Sequence, residues 1–175
     1  MPLPPQMDAE TAQESQYFYG VALHKLILLW LGTLGLYGLY WFHRHWQTIA
    51  AREGGGFSPL GRTLLAGSWC EPLLRQIADA AAAGPTPADY RPRLRAALWL
   101  LMTACLLLPP PYSLMCPLAV LPLVAAQRAA NGVNAWLTPA ADRNAAMSRR
   151  EWLAVTPAGV ALAFGLGKLY LRFFP

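Results

Sequence analysis

The sequence has few charged side chains. Only 13% of its 175 residues are charged and 55% are apolar, whereas soluble domains carry about 25% charged residues. Aspartate, glutamate, lysine and arginine are missing from three long blocks, residues 26–43, 96–127 and 152–167. Because a small soluble protein alternates apolar and charged residues within its helices, these blocks indicate lipid surroundings and argue against a water-soluble fold.

Motifs that carry chemistry are also missing. Cys70, Cys105 and Cys116 form no CxxC pair and no Cys/His cluster with metal-ligand spacing, so neither a zinc site nor a redox site is expected. The chain contains no GxSxG, HExxH or paired acidic motif. We therefore expect no cofactor and favour a protein that is not an enzyme, although enzymatic activity stays open.

The positive net charge of +5 does not predict nucleic-acid binding, because the sequence has no basic stripe and no nucleic-acid motif. Eleven of the 14 lysines and arginines lie in residues 43–95 and 127–152, between the apolar blocks. Such connections usually face the cytoplasm. We therefore expect a multi-pass protein of the cell inner membrane with both termini outside the cytoplasm.

The first apolar block predicts a membrane-crossing helix over about residues 21–46. Its uncharged part, residues 26–43, would span roughly 27 Å, close to the ~30 Å hydrocarbon core of a bilayer. Gly32, Gly35 and Gly38 recur every third residue. On a helix they would form a small-residue stripe, at which another helix packs closely.

The end of this predicted helix is rich in aromatic side chains, which suit the headgroup level of a membrane. These interface aromatics are Tyr37, Tyr40, Trp41 and Trp46. His43 and His45 are two residues apart and point to different faces, so we interpret them as interfacial residues and not as metal ligands.

Two segments flank the membrane helices. Residues 1–16 are proline-rich and polar and should form a disordered tail, which leaves 17–175 as a single membrane domain. Residues 58–83 predict an amphipathic surface segment that begins with Ser58 as N-cap and is divided or kinked at Pro72. Its apolar face comprises Leu73, Leu74 and Ile77.

The second apolar block predicts a helical hairpin, because three consecutive prolines, Pro109–Pro111, cannot lie inside a helix. The apolar arms run over 94–108 and 112–126, and the predicted helices are 94–108 and 112–134. Each apolar arm of about 15 residues is roughly 22 Å long, so two short crossings and a re-entrant hairpin both stay open. Cys105 and Cys116 would lie at similar depth, and either a disulfide or plain packing is compatible with that position.

Three amide side chains follow the hairpin at helical spacing: Gln127, Asn131 and Asn134. They predict either interhelical hydrogen bonds or a polar site for a lipid headgroup or small solute. A last apolar helix is expected over 152–170. The fold class is therefore all-α, a multi-pass helical membrane protein with about four transmembrane or membrane-embedded helices and one amphipathic surface helix.

The first block also resembles a family of small bacterial inner-membrane proteins of unknown function, which share a T-x-G-x-Y-x-x-Y-W-F motif. The resemblance rests on TLGLY (33–37), LYWF (39–42) and Trp46. Weaker similarities are Ser58-Pro59 with Arg62, LLLP (106–109), and the three amides. His43 and Glu71-Pro72 depart from the family pattern. The resemblance implies membrane placement, and no activity.

Three functions compete. The favoured one is a non-catalytic scaffold or accessory component that acts through helix–helix and lipid contacts, with the bilayer, a second copy of the chain or other membrane proteins as partners. The alternative is a small-solute transporter or pore formed as an oligomer, although no apolar block carries the central acidic residue typical of coupled carriers. An intramembrane enzyme comes third.

Overall fold

The structure is a computed structural model that describes residues 16–85, 91–109, 112–139, 144–153, 155–156 and 167. Throughout these residues the regular structure is helical and contains no strand, which confirms the predicted all-α fold. No helix in this part of the chain has both the length and the apolar character that crossing a membrane requires. Residues 1–15 of the predicted tail and most of the predicted helix 152–170 lie outside the described residues, whereas Gln16, the last residue of that tail, is described and buried.

Six α-helices are described: α1 (Leu23–Gly32), α2 (Tyr37–Arg52), α3 (Pro59–Leu64), α4 (Ala66–Ala82), α5 (Pro92–Ala104) and α6 (Val120–Leu137). Two 3-10 helices, Cys105–Leu107 and Tyr112–Ala119, lie between α5 and α6. Helical backbone begins again at residue 149.

The single helix predicted over 21–46 is wrong, because α1 ends at Gly32 and the chain turns a corner before α2. Leu34 and Gly35 have left-handed backbone, with φ of 52° and 89°. The Gly35 N–H donates to the Trp30 carbonyl at 2.8 Å, a bond of the kind that closes helix C-termini. The three glycines consequently do not form one helical stripe.

The glycines at this corner allow close packing of a different kind. A Cβ atom on Gly38 would lie 2.5 Å from the Trp30 ring, and one on Gly32 would lie 2.3 Å from Val155. Trp30 therefore packs against the start of α2, and Gly32 packs against Val155 in the segment that follows α6. A larger residue in place of Gly38 would push Trp30 away, and a larger residue in place of Gly32 would push Val155 away.

The segment over 58–83 differs from its prediction at one point. Ser58 caps α3 as predicted, since its Oγ accepts from the Gly61 N–H at 3.2 Å. The break, however, falls at Leu65, and α4 continues through Pro72. The proline removes one helical donor, and the carbonyl left free belongs to the exposed Ser68. Three side chains on the predicted apolar face are fully buried: Leu73, Leu74 and Ile77.

The chain reverses direction between Pro109 and Tyr112, as predicted, because α5 packs against the second 3-10 helix and α6. Its second arm is only partly α-helical, because residues 112–119 form a 3-10 helix that contains Pro117. Pro117 cannot donate to a helical carbonyl, so regular α-helix begins only at Val120. Cys70, Cys105 and Cys116 are free thiols, so the hairpin cysteines are not bridged.

The core lies between α2, α4 and α6. Helix α2 contributes two of its largest side chains, Trp41 and Trp46, and Phe42, and all three are at most 1% exposed. The interface aromatics thus divide: Tyr37, Trp41 and Trp46 pack in the protein interior, whereas Tyr40 is 48% exposed. The aromatic run packs α2 into the bundle instead of forming a continuous outward-facing belt.

Candidate functional site

The three amides of α6 lie together against an irregular segment, residues 16–22, which we call the strap. Asn134 bonds Phe18 twice: its Oδ1 accepts from the Phe18 N–H at 2.9 Å, and its Nδ2 donates to the Phe18 carbonyl at 2.7 Å. Asn131 Nδ2 donates to the Val21 carbonyl at 2.9 Å. The three amide side chains, which we call the amide face, therefore supply hydrogen-bond partners to the strap backbone, as a neighbouring strand would in a β-sheet.

Gln127 is fully buried and uses all its hydrogen-bonding capacity. Its Nε2 donates to the Tyr19 carbonyl at 3.0 Å and to Asn131 Oδ1 at 2.8 Å. Its Oε1 accepts from Trp41 Nε1 at 2.6 Å and lies 3.2 Å from His45 Nε2. The residue joins the strap, α2 and α6 at a single point.

These contacts determine the protonation state of His45. An amide oxygen only accepts hydrogen bonds, so Nε2 carries the proton and Nδ1 does not. Burial, opposed by the hydrogen bond to Gln127, lowers the pKa of His45 to about 3. The imidazole, predicted to be interfacial, is instead buried and neutral at physiological pH. It packs against Trp41 with ring centroids 4.2 Å apart.

The strap is also held at its first residues. Arg52 donates from Nη1 to the Tyr17 carbonyl at 2.7 Å and stacks over the Tyr17 ring at 3.9 Å. Gln16 Oε1 accepts from the Gly20 N–H at 2.6 Å, which curls the segment. The strap is thus bound by α2 on one side and by α6 on the other.

A second polar cluster ties α1 to the segment after α6. Lys25 is 2% exposed, and its three ammonium protons have three acceptors: Asn144 Oδ1 at 2.8 Å, the Ala146 carbonyl at 2.8 Å and Glu151 Oε1 at 2.9 Å. Burial alone would raise the pKa of Glu151, but hydrogen bonds from Ser148 and Lys25 outweigh it and lower that pKa. The Glu151 carboxylate is therefore ionised at neutral pH.

Two tyrosines extend this cluster towards the strap. The Tyr19 and Tyr37 hydroxyls are 3.1 Å apart, and Asn144 Nδ2 donates to Tyr19 at 3.3 Å. Burial is the main reason that the pKa of each phenol is raised above its ordinary value. Both rings stay protonated and serve as neutral hydrogen-bonding groups.

The structure brings together Gln127, Asn131 and Asn134, which the sequence singled out, but keeps Gly35 and Tyr40 apart from them. It adds residues that sequence reasoning missed: Tyr19, Lys25, His45, Asn144 and Glu151. Their only sequence signal is a charged or polar side chain at the edge of an apolar block. Of the interhelical hydrogen bonds predicted for the amides, Gln127 makes one with Trp41 of α2. Most of the other amide contacts go to the backbone of the strap.

The arrangement offers little for covalent chemistry. Burial raises the pKa of Cys70 to about 12, so its thiol is not a ready nucleophile. Across the described residues no three His, Cys, Asp or Glu side chains lie close enough to share a metal ion. The polar atoms of the three amides that contact the strap are committed to it. The amide face is therefore a structural junction, because the group that it binds is the strap of the same chain.

No protein-family model, curated protein or solved structure matches this chain. The resemblance of TLGLY (33–37) and LYWF (39–42) to a family of small bacterial inner-membrane proteins therefore stays a prediction.

Proposed function

We propose that the protein is a membrane-embedded, non-catalytic scaffold or accessory component of the bacterial inner membrane. It would act through helix–helix and lipid contacts, with the bilayer as its first partner. A second copy or another membrane protein would be the next. The apolar end of the hairpin is the observation that carries this proposal.

The hairpin tip, defined as Leu106–Leu108 with Tyr112 and Met115, presents large apolar side chains outward. Leu107 is 88% exposed, Leu106 and Tyr112 are each 59% exposed, and Leu108 is 48% exposed. Contiguous exposed apolar patches mark contact sites with membranes or other proteins. The absence of any charged residue between 96 and 127 favours the membrane.

Charge is concentrated at the opposite end of the hairpin. Arg91 and Arg93 are exposed at the start of α5, and the Arg93 side chain is 81% exposed. Arginines beside an apolar segment interact with anionic headgroups on the cytoplasmic face. Since α5 contributes about 20 Å of length, a hairpin that enters the bilayer and returns suits these dimensions. The outside location of both termini stays a prediction.

The amide face favours a scaffold over a solute carrier. A solute site would need polar atoms that are free to bind, whereas Gln127 is 0% exposed and engaged at both ends of its amide. The same residues do join three parts of the chain. A rigid junction behind an apolar tip is what a membrane scaffold needs.

Flotation with lipid vesicles tests this proposal. The chain is synthesised in a cell-free system with vesicles of phosphatidylethanolamine and phosphatidylglycerol, and the fraction that floats after alkaline washing is measured. Leu107→Lys should reduce that fraction roughly tenfold or more, because a lysine in the bilayer core costs about 3 kcal/mol. Leu137→Lys is the matched control, since Leu137 is 42% exposed at the far end of α6.

The two leucine variants separate membrane insertion from general loss of folding. Leu137→Lys should float like the wild type, and both variants should retain the same helical circular dichroism. Equal flotation of wild type and Leu107→Lys would contradict the proposal. A wild-type chain that stays monodisperse in buffer without vesicles or detergent would also contradict it.

A further inference from the structure

A pocket of about 230 Å³ is bordered by residues of α2, α3 and α4. This volume is much larger than the ~15 Å³ that one water molecule needs. Its lining carries charges of both signs and one aromatic side chain. The lining residues are Trp46, Arg62, Glu71, Pro72, Arg75, Gln76 and Asp79.

Arg62 is the cation of this pocket that lacks a carboxylate partner. Its guanidinium carbon lies 3.4 Å from the Phe57 ring centroid, 4.3 Å from that of Trp69 and 4.5 Å from that of Trp46. No described carboxylate is within ion-pair distance of it. Partial burial lowers its pKa, and the more distant Glu53 opposes that change. The aromatic rings hold the cation in place and leave its charge unneutralised.

The carboxylates of the pocket are unequal. Glu71 pairs with Arg75 and lies 3.6 Å from Arg93 Nε, so its charge is compensated by two arginines. Asp79 is exposed and has no ion-pair partner among the described residues. One free cation and one free carboxylate therefore border the same space.

Two buried polar atoms in the lining also lack partners among the described residues. Trp46 is 1% exposed, yet its Nε1–H has no acceptor. Gln76 Oε1 is buried and has no donor, although Gln76 Nε2 donates to Glu53 at 3.0 Å. Both atoms are closed to solvent, so the charged groups that a ligand in the pocket can reach are Arg62 and Asp79.

The free groups form one complementary set. The Arg62 guanidinium attracts anionic oxygens, whereas the Asp79 carboxylate attracts a cationic N–H donor. We propose that this pocket binds the phosphate and the ammonium of a phosphoethanolamine group, with Arg62 on the phosphate and Asp79 on the ammonium. No catalytic step is involved.

The surroundings favour a phospholipid as the source of this group. Helix α3, which carries Arg62, also exposes Leu60 (58%) and Leu64 (74%), and Leu65 beside it is 61% exposed. Acyl chains could lie along these leucines while the headgroup enters the pocket. The lipid source rests on the proposed membrane association, whereas the phosphoethanolamine site itself does not.

Calorimetric titration of the purified full chain in detergent tests the site directly. Phosphoethanolamine, inorganic phosphate and ethanolamine are titrated separately. Phosphoethanolamine should bind at least about tenfold more tightly than phosphate, since its ammonium can form a charge-assisted hydrogen bond with Asp79 that phosphate alone lacks. Asp79→Asn should abolish this advantage, and Arg62→Gln should abolish binding of both phosphates.

Two control variants distinguish loss of the binding site from loss of folding. Asp79→Asn is nearly isosteric and exposed, so it should fold like the wild type even if Arg62→Gln does not. Arg128→Gln removes an exposed arginine on α6 and should leave all three titrations unchanged. The proposal is overturned if phosphoethanolamine does not bind, or if Asp79→Asn keeps the wild-type preference over phosphate.

A second measurement identifies the source of the ligand. Lipids that copurify with the wild type and with Asp79→Asn are quantified by mass spectrometry. Enrichment of phosphatidylethanolamine over phosphatidylglycerol in the wild type alone supports the lipid headgroup. Phosphoethanolamine binding without that enrichment supports a soluble ligand, and would leave the site in place even if flotation had contradicted membrane association.

Discussion

Asn134 exchanges two hydrogen bonds with the backbone of Phe18, accepting from its N–H at 2.9 Å and donating to its carbonyl at 2.7 Å. These residues are 116 positions apart in the chain. The Asn134 side chain therefore satisfies both backbone groups of Phe18, as a neighbouring strand does in a β-sheet. The contact fixes where the strap meets α6.

Removing this side chain should destabilise the protein. Asn134→Ala leaves a buried N–H and a buried carbonyl of Phe18 without partners, and each costs about 1–3 kcal/mol. We expect a loss of roughly 2–4 kcal/mol in the free energy of unfolding, measured by denaturation followed through tryptophan fluorescence. Arg128→Ala on the exposed side of α6 should change it by less than about 0.5 kcal/mol. Unchanged stability of Asn134→Ala would show that the strap is not bound this way.

The corner between α1 and α2 predicts opposite effects for adjacent residues. Leu34 is 50% exposed and has φ of 52°, so Leu34→Asn should relieve backbone strain and stabilise the protein by up to about 1 kcal/mol. Gly35→Ala should cost about 1–2 kcal/mol, because alanine disfavours its φ of 89°. Thermal unfolding of the two variants measures both effects. If both variants destabilised equally, the chain would not turn here as described.

The hairpin and the corner show which features of this fold the sequence can predict. Three consecutive prolines lack donors wherever they are placed, so the reversal at Pro109–Pro111 follows from local chemistry. The corner at Leu34 and Gly35 leaves no such mark, because a glycine in an apolar run is equally compatible with helix packing. Its position depends on Trp30 folding back over Gly38, which is a tertiary contact.

The sequence predicts only part of the candidate site. Spacing alone places Gln127, Asn131 and Asn134 on one face of a helix. Their partner was not predictable, since they bind the backbone of the strap and a backbone carries no sequence signal. Lys25 and Glu151 were also missed, because they are 126 residues apart and each resembles a charge at the edge of an apolar block.

The buried His45 predicts that the protein loses stability in mild acid. Its pKa is about 3 when folded and about 6.5 when unfolded. Between these values the unfolded chain binds a proton that the folded chain does not, so the free energy of unfolding falls as pH falls. Stability from His45 is fully present above pH ~6.5 and declines by up to about 1.4 kcal/mol per pH unit below it.

Denaturation at a series of pH values between about 7 and 5 checks this slope. This range lies above the ordinary pKa of a glutamate, about 4.3, so Glu151 contributes little to it. His45→Gln removes the titrating ring while its amide nitrogen is still able to donate to Gln127. That variant should lose most of the pH dependence. A slope equal to that of the wild type would exclude His45 as its source.

The last prediction separates the two roles of Glu151. One oxygen, Oε1, pairs with Lys25 at 2.9 Å, and the other, Oε2, accepts from the Ser148 N–H at 2.7 Å. The Ser148 Oγ in turn accepts from the Glu151 N–H at 3.3 Å, which completes a capping box. Substitutions at two positions can remove these contacts one at a time.

Ser148→Ala should cost about 1 kcal/mol, the usual value of an N-cap. Glu151→Gln keeps an acceptor for the cap but neutralises the partner of a buried ammonium, so it should cost more, about 2 kcal/mol. Glu151→Ala loses both contacts and should cost about 3 kcal/mol or more. Hydrogen exchange should quicken in residues 144–153 and in α1 for both Glu151 variants, because Lys25 joins these segments. If Glu151→Gln behaved like the wild type, the capping box alone would hold the segment, and the ion pair would contribute no stability.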